Sequence, residues 1–392
     1  MSEELTKPKS LKDCKSVDEI DLGKVELIRG DTPEDIKQKC LQLCKEYLGH
    51  NWSQQTVDTI GFRRITGGMT NQLYYCGIAE PSATSSAPQE VAVRLYGPKY
   101  FNNTDHEGNE RLKDTIIALM TSENKLGPKV YGLFESGQIL KYYPHRQFRL
   151  KEQNNPKLAA QVFKKLAAVH AMKVPIKVNT NWIFDDFPKF YETGYKKFPI
   201  NQMIEDLNCE TLKKHDLKEE MQWLFNAITK SKSPIVFSHH DFRGSNIMIT
   251  EPNDEIILCD LESSSYGYRG SDFGSIALEW GRDSSEFGKP YRKYPNDETL
   301  KALIKVYIDE SERILGPKYS QNKVNSMDQI LKEVKLFSMV GNMFFVLFCI
   351  QNDENDSTGF PVDKKVFMKW GDNSYGDYWY LKEIFIKQNV FD

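Results

Sequence analysis

Residues 238–247 read Ser238-His239-His240-Asp241-Phe242-Arg243-Gly244-Ser245-Asn246-Ile247, and the reading of this stretch decides the fold. An apolar run, Ile235 to Phe237, feeds it and a second, Ile247 to Thr250, leaves it, so it forms a tight loop between two strands. Within the loop an acid, Asp241, and an amide, Asn246, stand five positions apart. That spacing suits phosphoryl transfer, in which the acid takes the proton of an attacking hydroxyl and the amide oxygen ligates magnesium. Asp and Asn also hydrogen-bond ordinary turns, so the pair alone leaves both readings open. The next strand-like piece, Ile256 to Cys259, runs into Asp260-Leu261-Glu262, with Asp260 fourteen residues beyond Asn246. Carboxylates at a strand end can hold a cation, and Asp260 stands where a metal-binding acid is needed. In an extended chain Glu262 shares its face. A solvated hairpin end is the alternative, weakened by the loop upstream.

Working outward, Gly67-Gly68-Met69-Thr70-Asn71 joins two strand-like runs, Ile60 to Ile65 and Gln72 to Ile78. Paired glycines let backbone N–H groups approach a phosphate, although glycine hairpins are common. A third run, Glu90 to Leu95, is apolar except for Arg94, a cation placed to pair phosphate or to snorkel from a strand edge. Short strands are also expected at Lys129 to Phe134 and Gln138 to Tyr143, and Pro81 to Gln89 reads as a surface hairpin tip. Thr32-Pro33-Glu34-Asp35 reads as a helix start, with Thr32 as cap and the helix running to Leu48. Helical spacing covers Asn109–Asn124, Pro156–Met172, Phe187–Glu205, Leu217–Lys230, Ser271–Trp280, Glu298–Leu315, Met327–Gln351 and Tyr378–Gln388. A strand-rich first third before a helix-rich remainder is an α+β architecture. The expected division is a flexible tail over 1–27, a small lobe over 28–143 and a large lobe over 144–392.

Composition narrows the class. The 392 residues are 40% hydrophobic and 27% charged, with a net charge of −3, which argues against nucleic-acid binding by bulk positive charge. Seven scattered cysteines form no C-x-x-C pair, so neither a zinc site nor a disulfide framework is indicated. No apolar stretch follows the N-terminal charges, and the longest uncharged run, Leu336 to Asn352, is interrupted by Ser338, Gly341 and Asn342. It falls short of the ~20 apolar residues of a membrane span. A soluble, cytoplasmic protein is expected. Aromatic residues make up 12% of the chain, more than this reading alone can place.

The segments occur in the order of the protein-kinase-like fold, and more closely they resemble the choline/ethanolamine kinase family. The resemblance rests on GGMTNQLY (67–74), VAVRLYG (91–97), LGPKVYGLF (126–134), YYPHR (142–146), SHHDFRGSNI (238–247) and CDLESSSYGYRGSDFGSIALEW (259–280), and runs from about Thr32 to the C-terminus. It implies a two-lobed fold with a small β-rich N-lobe and a larger α-helical C-lobe. The implied activity is ATP- and Mg2+-dependent phosphorylation of choline to phosphocholine, the first step of the CDP-choline route to phosphatidylcholine. By the resemblance Asp241 is the catalytic base, Asn246 and Asp260 are magnesium ligands with Glu262 beside them, and Arg94 with Gly67, Gly68, Met69, Thr70, Asn71, Gln72 and Leu73 grips phosphate. Lys141, Tyr142, Tyr143, Pro144, His145, Arg146 and Gln147 supply adenine and flanking nucleotide contacts. Arg243 stands where the family usually carries Gln beside the nucleotide, and Asp272 is expected to brace the catalytic loop. Glu279 matches the acidic contact to the amino alcohol. Trp280, Phe344 and Tyr378 are the expected aromatic wall, since an ammonium group is held by ring faces and a carboxylate. The resemblance allows a homodimer.

Three departures sharpen the expectations. The partner of Arg94 is Asp114 or Glu110. Phe344 and Leu347 stand where the family often carries two tryptophans, and Ser263 replaces an aromatic after the metal acids. A thinner cage leaves choline and ethanolamine both open as acceptor, and a catalytically silent binding protein is the rival from another class. A protein kinase is disfavoured: Asp272-Phe273-Gly274 has no strand leading into it, and no A-P-E follows.

Overall fold

The computed structural model describes residues 31–66, 71–80, 86–97, 107–178, 180–353 and 362–391, with 107–110 by backbone alone. The N-terminal tail, Gly67 to Thr70, most of the Pro81–Gln89 tip and the side chain of Glu110 lie outside the described residues. The chain divides into two compact units, one reaching to His145 and the other beginning at Arg146.

The smaller unit opens with α1 (Ile36–Leu48), capped at Asp35, three residues later than expected. Thr32 is not its cap; its hydroxyl instead accepts a hydrogen bond from Arg64 at 3.0 Å. Ile36, Cys40, Leu41 and Cys44 form the buried stripe of α1, and Gly49 ends the helix at φ +56°, a conformation open to glycine. Strands β1 (Ile60–Ile65), β2 (Gln72–Ile78) and β3 (Glu90–Leu95) follow, then α2 (Glu107–Glu123), β4 (Val130–Phe134) and β5 (Gly137–Lys141). The five strands form an antiparallel sheet of order β1-β2-β3-β5-β4. Alternation puts Tyr74, Cys76, Val91, Val93 and Ile139 on the face that packs with α1 and Trp52.

Beyond β6 (His145–Gln147) the larger unit is mostly helical: α3 (Leu150–Gln153), α4 (Pro156–His170), α5 (Trp182–Lys197), α6 (Ile200–Asp206), α7 (Glu210–Lys214) and α8 (Leu217–Ser231). The single helix expected over Phe187–Glu205 is thus two. Pro199 cannot continue α5, and Phe198 before it is extended at φ −129°, ψ 151°. Then come β7 (Ile235–Ser238), the hairpin β8 (Ile247–Thr250) and β9 (Ile256–Leu258), and β10 (Ser265–Tyr268), which pairs antiparallel with β7. The last helices are α9 (Gly270–Glu279), α10 (Asp297–Leu315), α11 (Lys318–Gln321), α12 (Met327–Gln351) and α13 (Lys364–Lys387).

Helix α12 is long and apolar enough to cross a membrane, yet 78% of its most apolar window is buried inside the protein. It is the central core helix, and α9 crosses it closely because Gly274 lacks a side chain. A Cβ there would lie 2.3 Å from the backbone of Phe337. The sequence places α13 only over Tyr378–Gln388, but the helix begins at Lys364, capped by the Asp363 side chain. Gly376 and Asp377 lie inside it, Asp377 accepting from Tyr291 N–H at 2.9 Å.

Candidate active site

Strand β7 delivers the loop, and its entry is held by one carboxylate. Asp272, in the first turn of α9, accepts the backbone N–H groups of His239 and His240 at 2.7 Å each. His170, the last residue of α4, donates from Nε2 to the same carboxylate at 3.1 Å and accepts from Tyr307 of α10 at Nδ1, 2.9 Å; these partners assign its tautomer. Burial pushes the Asp272 carboxyl up, but the His170 hydrogen bond and the surrounding donors outweigh it and bring it down to about 2. Burial lowers His170. So braced, His240 adopts φ +64°, a left-handed conformation that costs about 1–3 kcal/mol for a non-glycine residue and concentrates at functional sites.

Asp241 follows directly. Its Oδ2 accepts from the Asn246 amide at 2.6 Å, and its Oδ1 lies 2.9 Å from Arg243 Nε. Both charged side chains remain about a third exposed, 33% for Asp241 and 31% for Arg243, so the carboxylate is reachable. Asp241 foremost, then Glu279 and Asp260, raise the Arg243 pKa against burial. Gly244 passes so near Phe148 that a Cβ would sit 2.2 Å from its carbonyl oxygen, which only glycine permits. The Gly244 N–H donates to Glu279 Oε2 at 3.0 Å, and burial raises the Glu279 pKa against the pull of Arg243.

The β8–β9 register brings the second acid to the loop. Ile247 pairs with Leu258, and Cys259 N–H donates to Asn246 O at 2.9 Å, so Asp260 stands one residue past the amide. The Asn246 amide nitrogen faces Asp241, at its carboxylate and its backbone oxygen, which leaves the amide oxygen for a cation. Asn246 and Asp260 therefore fit a hard cation that keeps other positions for phosphate oxygens and water. No group of three His, Cys, Asp or Glu suited to a metal occurs among the described residues. Glu262 does not continue an extended chain from Asp260 as expected. Asp260 is left-handed at φ +58°, and Leu261–Ser263 form a 3-10 turn, so the alternation that would align the two acids is broken.

Of the expected aromatic wall, Phe344 of α12 lies near the loop's surroundings through a ring that the sequence does not flag. Trp182, at the start of α5, meets His240 at 5.5 Å and Phe344 at 6.3 Å, edge-on to both. Its indole N–H is buried and has no hydrogen-bond partner among the described residues. Leu347 is in the core. Trp280 packs on Phe148 and Phe163, among the apolar side chains of α4, α9 and α10. Tyr378 is fully buried in the same large core as Leu347, against which Trp182 and Phe344 pack, because α13 starts fourteen residues before it and carries it on the stripe facing α8. Its hydroxyl donates to Glu220 of α8. Lys382 Nζ also bonds Glu220, at 2.5 Å, and lies 3.7 Å from the Trp223 ring centre and 4.5 Å from that of Trp379. That box of two indoles and a carboxylate has the chemistry of an ammonium site, and the chain's own lysine fills it.

In the smaller unit, Arg94 pairs across the sheet with Leu73 and Gln138. Arg94, Asp114 and Arg111 all act on the Tyr96 hydroxyl. Arg111 lies 4.4 Å over the Tyr96 ring and 4.0 Å from the buried Asp114. Asn71 accepts from Gly97 N–H at 3.2 Å, and Gln72 accepts from Tyr74 OH at 2.8 Å. Tyr142 packs on Tyr75 and takes a hydrogen bond from Arg63, Lys141 lies over the Tyr143 ring, and His145 Nδ1 bonds Tyr143 O at 2.7 Å. Pro144 follows with no N–H to donate. Across the boundary in the larger unit, Arg146 pairs with Asp254 and Glu152, and the Gln147 amide donates to Ser245 O.

A braced Asp-x-x-x-x-Asn loop beside a strand-end acid, together with an antiparallel five-stranded sheet and a helical unit, defines a small-molecule kinase of the protein-kinase-like fold. The family model for choline/ethanolamine kinase matches residues 62–370, and the chain belongs to that family. A human choline/ethanolamine kinase is 29% identical over 327 residues, covering 81% of this chain and 80% of its own. Among solved structures, a choline kinase from Cryptosporidium parvum superposes with a TM-score of 0.67 at 18% identity, covering 90% of this chain and 97% of that one. An ethanolamine kinase from Plasmodium vivax superposes at 0.57 with 19% identity, covering 89% and 90%.

Proposed function

We propose that the chain phosphorylates choline from ATP, with Asp241 as the general base. The observation that carries this reading is the Asp241 carboxylate itself, held by Asn246 and Arg243 on a loop braced by Asp272 while a third of it stays open. Asp241 would orient the acceptor hydroxyl and take its proton, a role worth about 10²–10⁴ in rate. Asn246 and Asp260 would hold Mg2+, which supplies charge neutralisation on the transferred phosphoryl group when bound. Arg94 and residues 67–73 would grip the nucleotide phosphates, and residues 141–147 would take the base. Trp182 and Phe344, in edge-on contact at 79°, would supply ring surface to a quaternary ammonium, and Glu279, tied to the loop at Gly244, would supply the acid. The implied place in metabolism is the step that makes phosphocholine for phosphatidylcholine synthesis.

Ethanolamine is the second reading, favoured by the exchange of tryptophans for Phe344 and Leu347, because a primary ammonium relies more on carboxylates than on rings. The test is ATP consumption with each alcohol by the unchanged chain and by Asp241→Ala. Choline is expected to give the higher kcat/KM, and the variant to lose at least about a hundredfold in kcat. A higher value with ethanolamine would change the acceptor and keep the mechanism. Stimulation by neither alcohol would remove the assignment.

A further inference from the structure

We propose that Arg243 is a specificity-determining residue: a built-in cation on the acceptor acids that limits how strongly the site prefers a charged alcohol to an uncharged one. The inference rests on the acceptor reading above. Arg243 Nε lies 2.9 Å from Asp241 Oδ1, and the next residue, Gly244, ties its N–H to Glu279 Oε2 at 3.0 Å. Two consecutive loop residues therefore bind the two acids that an incoming ammonium would seek. The guanidinium interacts favourably with Asp241, Glu279 and Asp260 together, so it sits within the field of all three. A guanidinium does not deprotonate in proteins, and its positive charge is permanent. An ammonium ion entering this site meets carboxylates already partly neutralised and a like charge close by. The attraction of the Trp182 and Phe344 faces depends on the substrate's charge but not on Arg243, so it is common to every variant of this residue.

The consequence is measurable with a pair of alcohols of one shape: choline and its carbon isostere, in which the quaternary nitrogen is a quaternary carbon. Any loss of loop geometry or of transition-state charge slows both alike and cancels in the ratio of their kcat/KM values. For Arg243→Gln and Arg243→Met the ratio of choline to isostere is expected to rise about tenfold, the effect of one unit charge several ångströms away in a partly screened site. Arg243→Lys keeps the charge and is expected to stay within about twofold of the unchanged chain. Calorimetric titration with the two alcohols reads the same ratio in a variant too slow to assay. An unchanged ratio in both neutral variants, with an active parent chain, overturns this inference alone. So does a rise confined to KM for ATP, which would assign the guanidinium to nucleotide phosphates. Turnover of neither alcohol by the parent chain overturns the acceptor reading and this inference with it.

Discussion

Glu279 has two carboxylate oxygens, and one of them, Oε2, is occupied by the N–H of Gly244. Its removal would therefore disturb the loop as well as the acceptor contact, and Glu279→Ala cannot separate the two effects. Glu279→Gln can, because the amide oxygen still accepts from Gly244 while the charge is gone. The expected outcome is a KM for the amino alcohol raised about tenfold with KM for ATP within about twofold, read by steady-state kinetics. Equal rises in both would make Glu279 a support of the loop only. At this scale Asp241, Asn246 and Asp260 were legible because one short loop and one hairpin carry them, and there spacing along the chain is nearly spacing in space. Asp272 was legible only through the family resemblance of its R-G-x-D stretch, since it meets His239 and His240 from 33 and 32 positions further along the chain. Trp182 was not. It stands at a helix start with no motif around it, and its meeting with His240 joins positions 58 apart.

Helix α13 shows why aromatic residues are poor guides to a site. Tyr375, Tyr378, Leu381, Lys382 and Phe385 recur at helical spacing and form its buried stripe. Lys382 lies on that stripe because Glu220 and two indoles receive its ammonium, and each of the two charged side chains is only 8% exposed. Lys382→Met removes the cation and strands Glu220. Breaking one side of a buried pair is expected to cost about 3–5 kcal/mol, measured by denaturant unfolding. The double variant with Glu220→Gln should recover much of that loss, and failure to do so would mean that the pair contributes no coupling. Helix α12 was legible over its full length, since its apolar pattern runs much longer than a strand even with Ser338, Gly341 and Asn342 inside it. The start of α13 was hidden by Gly376, and the α5–α6 break shows Pro199 overriding a continuous apolar pattern.

For the molecule as a whole, stability is tied to pH through the joint of α4, α9 and α10. His170 is buried, and the groups facing it are Asp272 of α9, Tyr307 of α10, Glu333 of α12 and Arg269 at the head of α9. Burial lowers its pKa from the ordinary 6.5, so the unfolded chain binds this proton more readily than the folded one. The contribution is complete above pH 6.5 and is lost progressively as pH falls below it, while Asp272, brought to about 2, stays charged throughout. The melting temperature is therefore expected to fall between pH 7 and pH 5, and less steeply in His170→Gln; equal slopes would assign the acid sensitivity elsewhere. The family, the α+β class, the strand-then-helix order and the reacting loop follow from the sequence by itself, because hydrophobic period and short-range spacing are written in covalent order. Which ring stands beside His240, which acids share Arg243 and which ammonium fills the indole box were decided only by the tertiary structure. Glu220 and Lys382 are 162 residues apart, and only the packing of apolar helix faces brings such groups together.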